Sequence, residues 1–209
     1  MNKVLGLLVL VAAPLLGQEH PPQILEIYRD ALRSGSEAQY EKVEEQAARV
    51  CVELQCPHPY LALESLRGPK EVWFLNMFES EAEKEAVSDA YAKKPTLMAA
   101  FKDIVAAKKG LIGQATNIFA TYRPDSSDGK WRLSGARFFA VAITNMTMHG
   151  SVFEAPDGTR YSFTPCRTRE EAEKTGGLLF AVRPYWSLPA PAWIAADPEF
   201  WKVSPEAKR

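Results

Sequence analysis

A strand-like run ending in a helix cap occurs twice in this chain, and that repetition limits the fold more than any other feature. The first copy is Val72-Trp73-Phe74-Leu75-Asn76-Met77-Phe78-Glu79-Ser80, followed by Glu81-Ala82-Glu83-Lys84. The second is Tyr161-Ser162-Phe163-Thr164-Pro165-Cys166-Arg167-Thr168, followed after Arg169 by Glu170-Glu171-Ala172-Glu173-Lys174. Aligned at their caps, Ser80 matches Thr168 and Glu83 matches Glu171. Each copy therefore carries S/T-x-x-E, the pattern in which a hydroxyl and a carboxylate satisfy the free amides of a helix start. One strand-to-helix unit used twice predicts an architecture, not a reaction.

The residues before the first copy extend the unit. Ile24 to Arg29 alternates partially and reads as a strand. Glu37 to Leu54 places Tyr40, Val43, Ala47, Val50 and Leu54 at helical intervals, and Cys56-Pro57-His58-Pro59 ends that helix. Tyr60 to Leu66 and Glu71 to Phe78 are strands joined by a tight turn at Arg67-Gly68-Pro69-Lys70. The second of them is apolar on both faces, with Trp73, Leu75 and Met77 on one and Val72, Phe74 and Phe78 on the other. Such a strand is covered on both sides. Asn76 interrupts the second row. Pro95 divides the following helical stretch, Gly110 caps its second part, and Thr116 to Tyr122 is a fourth strand. The order β-α-β-β-α-β is ferredoxin-like.

Beyond a polar stretch at residues 125–130, which reads as a linker, a shorter α+β unit spans 131–188. Arg137 to Asn145 is an apolar strand, and a hairpin turns at Asp157-Gly158. The second capped helix stops at Gly176-Gly177 before a last strand, Leu178 to Arg183. No counterpart of the long first helix is evident in this half. The tail, residues 189–209, interleaves Pro189, Pro191, Pro198 and Pro205 with Trp193, Phe200 and Trp201. It is too apolar to be freely disordered, so it is expected to wrap over the sheet or barrel.

Residues 1–17 read as a signal peptide, with a retained N-terminal anchor as the competing account. Lys3 precedes the uncharged apolar run Val4 to Ala13, which is shorter than the ~20 residues of a spanning helix, and Pro14 and Gly17 break it. The mature chain, with residues 18–124 as its first unit, is then expected in the periplasm or outside the cell, free of the membrane once cleaved. Its formal net charge of −1 and scattered basic residues argue against a nucleic-acid partner. Of the three cysteines, Cys51 and Cys56 flank a helix end and are the disulfide candidates. Buried free thiols remain the other reading, and a lone C-x4-C with His58 makes a poor metal site.

Glu71 through Glu83, together with Pro95 through Phe101, resembles the dimeric α+β barrel superfamily, especially antibiotic biosynthesis monooxygenase-like proteins. That resemblance implies two ferredoxin-like sheets closing into one barrel, here within a single chain and with a degenerate second unit. It also implies a pocket between sheet and helices. Phe78 stands where many such proteins place Trp.

Trp73, Asn76, Tyr161 and His149 are the candidate ligand-binding residues, Asn76 because a buried amide needs a partner. Core packing is the competing account for Trp73 and Asn76, and a backbone-bonded strand end for His149. Arg137 and Arg183 read as an anion clamp or as solvated strand-end charges, and His58 as solvated. No nucleophile elbow, phosphate loop or H-E-x-x-H pattern occurs, so no catalytic residue is assigned. The expected function is binding of a small apolar or aromatic molecule by a monomer or homodimer without a cofactor. The alternatives are a cofactor-independent monooxygenase with an aromatic substrate and a haem-binding barrel using His149.

Overall fold

Leu25 and Ile27 are fully buried on one side of the first strand, while Tyr28 and Asp30 leave from the other, as the two-residue period of an extended chain requires. A computed structural model describes residues 20–144 and 150–205. Its first half runs β1 (Ile24–Leu32), α1 (Glu37–Glu53), β2 (Tyr60–Ser65), β3 (Glu71–Phe78), α2 (Glu81–Ala92), α3 (Pro95–Lys108) and β4 (Ile112–Tyr122). Its second half runs β5 (Phe138–Ile143), β6 (Ser151–Glu154), β7 (Arg160–Cys166), α4 (Arg169–Thr175) and β8 (Leu178–Val182). Two short helices, α5 (Pro191–Ala196) and α6 (Pro198–Trp201), follow.

The fold is α+β, and its eight strands form one closed antiparallel barrel in the order β1-β3-β2-β8-β5-β7-β6-β4. Numbered within its own half, each set of four strands has the order 4-1-3-2. The halves meet at two seams, β2 with β8 and β4 with β6. Both seams pair the second strand of one half with the fourth of the other. They are short, running Leu63–Val182 to Ser65–Phe180 and Thr121–Glu154 to Tyr122–Phe153, whereas β1 and β3 pair from Ile24–Phe78 to Ala31–Glu71. Closure leaves no unpaired strand edge in the sheet.

The barrel interior is solid. Trp73, Phe139, Phe153, Phe163 and Phe180 fill it at essentially zero exposure, and Trp193 and Trp201 from α5 and α6 join the same cluster. The tail residues of 189–205 are thus partly a plug of the barrel rather than a cover of its wall. Trp131 and Leu133, just past the 125–130 stretch, also belong to that core.

The repeated motif is repeated in geometry. Ser80 Oγ accepts from the Glu83 amide at 3.1 Å, and Thr168 Oγ1 from the Glu171 amide at 3.2 Å. The two carboxylates reach back to equivalent amides, Glu83 to Glu79 N at 2.6 Å and Glu171 to Arg167 N at 2.8 Å. Only the second copy completes the box, through Thr168 N to Glu171 at 3.3 Å. Aligned on these caps, Trp73 corresponds to Tyr161, and inside the barrel the two rings meet edge-on at 6.3 Å.

Two readings of single residues change. His58, expected in solvent, is 7% exposed: its ring stacks on Phe78 at 4.6 Å, and Nε2 lies 3.0 Å from the Met77 carbonyl. Since a carbonyl only accepts, Nε2 carries the proton. Arg137 and Arg183 are half-buried and held in ion pairs, so neither is free to clamp an anion. Arg137 donates to Asp197 at 2.5 Å and lies 3.8 Å from the Phe200 ring, while Arg183 pairs with Glu64.

Candidate functional site

Asn76 and Trp73 are three residues apart on β3, so the pleat sends them to opposite faces. Trp73 points into the barrel, where its indole N–H donates to Glu71 Oε2 at 2.6 Å. The Arg29 guanidinium lies 4.5 Å from its ring and pairs with Glu71 at 2.9 Å. Tyr161 faces the same interior from β7, across the barrel, with burial raising its phenol pKa against the pull of Arg29. Asn76 instead faces the helices. The structure therefore brings Trp73 and Tyr161 together and separates Asn76 from both. His149 lies outside the described residues.

Cys51 and Cys56 are joined by a disulfide, their Cα atoms 4.7 Å apart, and Cys166 is a buried free thiol. Among the described residues no group of His, Cys, Asp and Glu could hold a metal ion. No described helix is long and apolar enough to cross a membrane.

Space is left on the outer face of the first half. A cleft of about 570 Å³ lies between β1, β3 and β4 on one side and α1, α2 and α3 on the other. Tyr28, Tyr60, Phe74, Tyr91 and Phe101 give it aromatic walls, and Met98 and Val105, 45% and 64% exposed, form an apolar rim. A smaller recess of about 360 Å³, bounded by Val87, Ser88 and Phe119, adjoins it and shares Glu26, Asn76 and Tyr91. Why space remains here is local. α2 has no buried residue, and α3 buries only Leu97, Ile104 and Lys108, so these helices lean on the sheet without sealing it.

Polar groups sit at two places in the cleft. At one, Glu26 accepts from Asn76 Nδ2 at 3.0 Å and from Asn117 Nδ2 at 2.8 Å, one amide on each carboxylate oxygen. A carboxylate cannot donate, so both amides must present their NH2 to Glu26 and turn their carbonyl oxygens elsewhere. Tyr91 stands near this fork; burial and then the Glu26 charge push its phenol up to about 12.

At the other place, Lys108 pairs with Glu44 and, at 3.1 Å, with Asp30, to which the Tyr40 hydroxyl donates at 2.6 Å. The Lys108 ammonium lies 5.1 Å from the Phe74 ring, 5.3 Å from Tyr40 and 5.9 Å from Tyr28. Burial raises the Glu44 carboxyl above the usual range, partly opposed by Lys108. Burial works against the Lys108 charge, yet Glu44 and Asp30 together hold its pKa up. Tyr40 is pushed far upward by burial and by the same two carboxylates and stays a phenol.

Of these residues, sequence reasoning found Asn76 and missed Glu26, Asn117, Tyr91, Glu44 and Lys108. Glu44 and Lys108 were legible in principle, since each stands beside inward positions of an amphipathic helix. Glu26 and Asn117 carry no local signal at all, because they meet only across paired strands.

No protein family matches the chain, and no curated protein does. Two solved structures resemble it. One is a candidate monooxygenase from Fusobacterium nucleatum subsp. nucleatum, 10% identical, covering 81% of this chain and 94% of that one at a TM-score of 0.45. The other is a candidate monooxygenase from Lactobacillus acidophilus NCFM, 8% identical, covering 84% and 87% at a TM-score of 0.42. At that distance neither bears on the chemistry of the cleft, and the barrel rests on its own strand pairings.

Proposed function

We propose that this protein binds a small aromatic or apolar molecule in the cleft on the outer face of its first half. The observation that carries this is a space of about 570 Å³ with aromatic walls and one oriented polar fork, Asn76–Glu26–Asn117. Mostly apolar lining with a few fixed polar groups is the usual composition of a ligand site. Ligand-observed NMR with a panel of monocyclic aromatic compounds tests it. Binding at millimolar affinity or better, weakened several-fold in Asn76→Ala, is the expected result. No binding by any compound, or unchanged binding in that variant, overturns the reading.

The second reading is a cofactor-independent monooxygenase similar to the antibiotic biosynthesis monooxygenases. The position of the cleft between sheet and helices favours it. The electrostatics count against it, since such chemistry calls for stabilisation of a substrate anion and the cleft's cation, Lys108, is already engaged by two carboxylates. Oxygen uptake with phenols or hydroquinones, lost in Asn76→Ala, would place it first. Export to an oxidising compartment is proposed as well, on the apolar run of residues 1–17 and the Cys51–Cys56 bridge. Mass spectrometry of protein recovered from outside the cytoplasm, showing the first residues removed, is the check.

A further inference from the structure

Charge in and behind the cleft is unbalanced. Glu26, Glu44 and Asp30 supply three carboxylates, against the single ammonium of Lys108. A proton on Glu44 would reduce the excess but not remove it. The surplus is not spread evenly. Asp30 and Glu44 are fully or almost fully buried and share Lys108, whereas Glu26 is only half-buried and has no cation among its hydrogen-bond partners, which are two neutral amides. Lys84 borders the adjoining recess, but it pairs with Glu81 and lies 5.0 Å from the Phe119 ring.

From this we infer that the ligand is an organic amine: a protonated ammonium on a short aromatic or aliphatic body, seated with its charge at Glu26. The inference rests on the cleft reading above and adds the ligand's charge. Three features converge on that seat. Each Glu26 oxygen has already taken one amide N–H and keeps a lone pair for another donor. The carbonyl oxygens of Asn76 and Asn117, at the other corner of the same amide groups, are further acceptors at the margin of the fork, and an ammonium brings up to three donors. The rings of Tyr60, Tyr91, Phe74 and Phe101 line the same space, and aromatic faces attract cations.

The protein itself supplies a precedent in the same cleft. Lys108, an alkylammonium, is held between carboxylates and against the rings of Phe74, Tyr40 and Tyr28. The Glu26 end offers the same ingredients, a carboxylate and aromatic rings. An anionic ligand would meet Glu26 and Glu44, the two carboxylates that line the cleft, and a neutral one would leave the Glu26 charge unanswered.

Three probes of nearly equal size separate the possibilities: 2-phenylethylamine, 2-phenylethanol and 3-phenylpropanoate, titrated into the full chain at pH 7 by NMR or calorimetry. The expected result is that the amine binds about tenfold more tightly than the alcohol, that the acid binds weakest, and that Glu26→Gln brings amine and alcohol within about twofold. If the three bind alike, or the acid binds best, the amine inference falls while the cleft reading stands. If none binds, both fall. An amine preference that survives intact in Glu26→Gln overturns the assigned seat. The wild-type comparison of probes needs no variant, so poor folding of Glu26→Gln leaves the inference open to refutation.

Discussion

The two halves of the barrel share a strand order and differ in what covers them. The first carries a 17-residue helix and a 14-residue one, α1 and α3, with α2 lying loosely beside them. Among the described residues, the second carries the 7-residue α4, packed on Ala140, Cys166 and Leu179. Barrel closure constrains only the strands, since each inner face must be buried against the other half. The outer faces need only be covered, and helices of different length can do that. The open cleft and its polar fork therefore lie where long helices stand off the sheet. On the aligned second copy, Thr164 occupies the position of Asn76 and Cys166 that of Phe78.

The interior should be indifferent to this asymmetry, which gives the largest expected effect. Trp73→Ala removes a fully buried ring that touches Tyr161, Phe163 and Phe180 of the other half, and about 3–5 kcal/mol of stability should go with it. Denaturant unfolding measures the loss. Hydrogen exchange should show both halves opening together, and an effect confined to β1–β4 would break the view of one shared core.

Gly177 and Gly68 sharpen the contrast between turns. Both have positive φ, +83° and +81°, but a Cβ on Gly177 would lie 2.5 Å from the Val141 carbonyl oxygen, whereas one on Gly68 meets nothing within 4 Å. Both substitutions to Ala incur the left-handed penalty of roughly 1–2 kcal/mol, and Gly177→Ala should exceed Gly68→Ala clearly because β5 has to move. Equal midpoints in thermal unfolding would contradict this.

Removing the helix caps should separate the halves again. Thr168→Ala and Ser80→Ala each lose a hydrogen bond to a helix-start amide, typically about 1 kcal/mol. α4 buries Ala172 against the barrel, so its loss should appear in global unfolding. α2 buries nothing, so Ser80→Ala should appear mainly as faster exchange of that helix, with little change in the global midpoint.

Acid provides the smallest and most local test. Burial lowers the His58 pKa, opposed by its Met77 contact and the Glu83 charge. The unfolded chain therefore takes up the proton first. Stability contributed by neutral His58 is complete above about 6.5 and declines as pH falls from there toward the lowered folded value. His58→Gln should flatten that decline, as read from unfolding midpoints between pH 7 and 5. The corresponding region of the second half, around Cys166, should show no matching change.

How far the sequence could be read depends on how local each signal is. The capping pairs lie three residues apart, and Pro95, Gly110 and the Asp157-Gly158 turn act on their own backbone, so element types and most boundaries followed from them. β4 was harder: it begins at Ile112 rather than Thr116, because its exposed first residues lack alternation and are held by pairing with β1. His58 was misread for a related reason. A Pro-flanked loop suggests solvent, and only the placement of Phe78 beside it buries the His58 ring.

For this protein the sequence alone determined the repeated unit, the doubly apolar β3 and the position of Asn76 on its outer row, since these depend on periods of two and on caps within one turn. Tertiary structure decided which polar residues meet. Glu26, Asn76 and Asn117 stand 50 and 91 positions apart along the chain, and strand pairing brings them within 3.0 Å. Tertiary structure also decided that the barrel is filled while the cleft beside it is open. Packing volume is summed over many distant side chains, and no single stretch of sequence carries that sum.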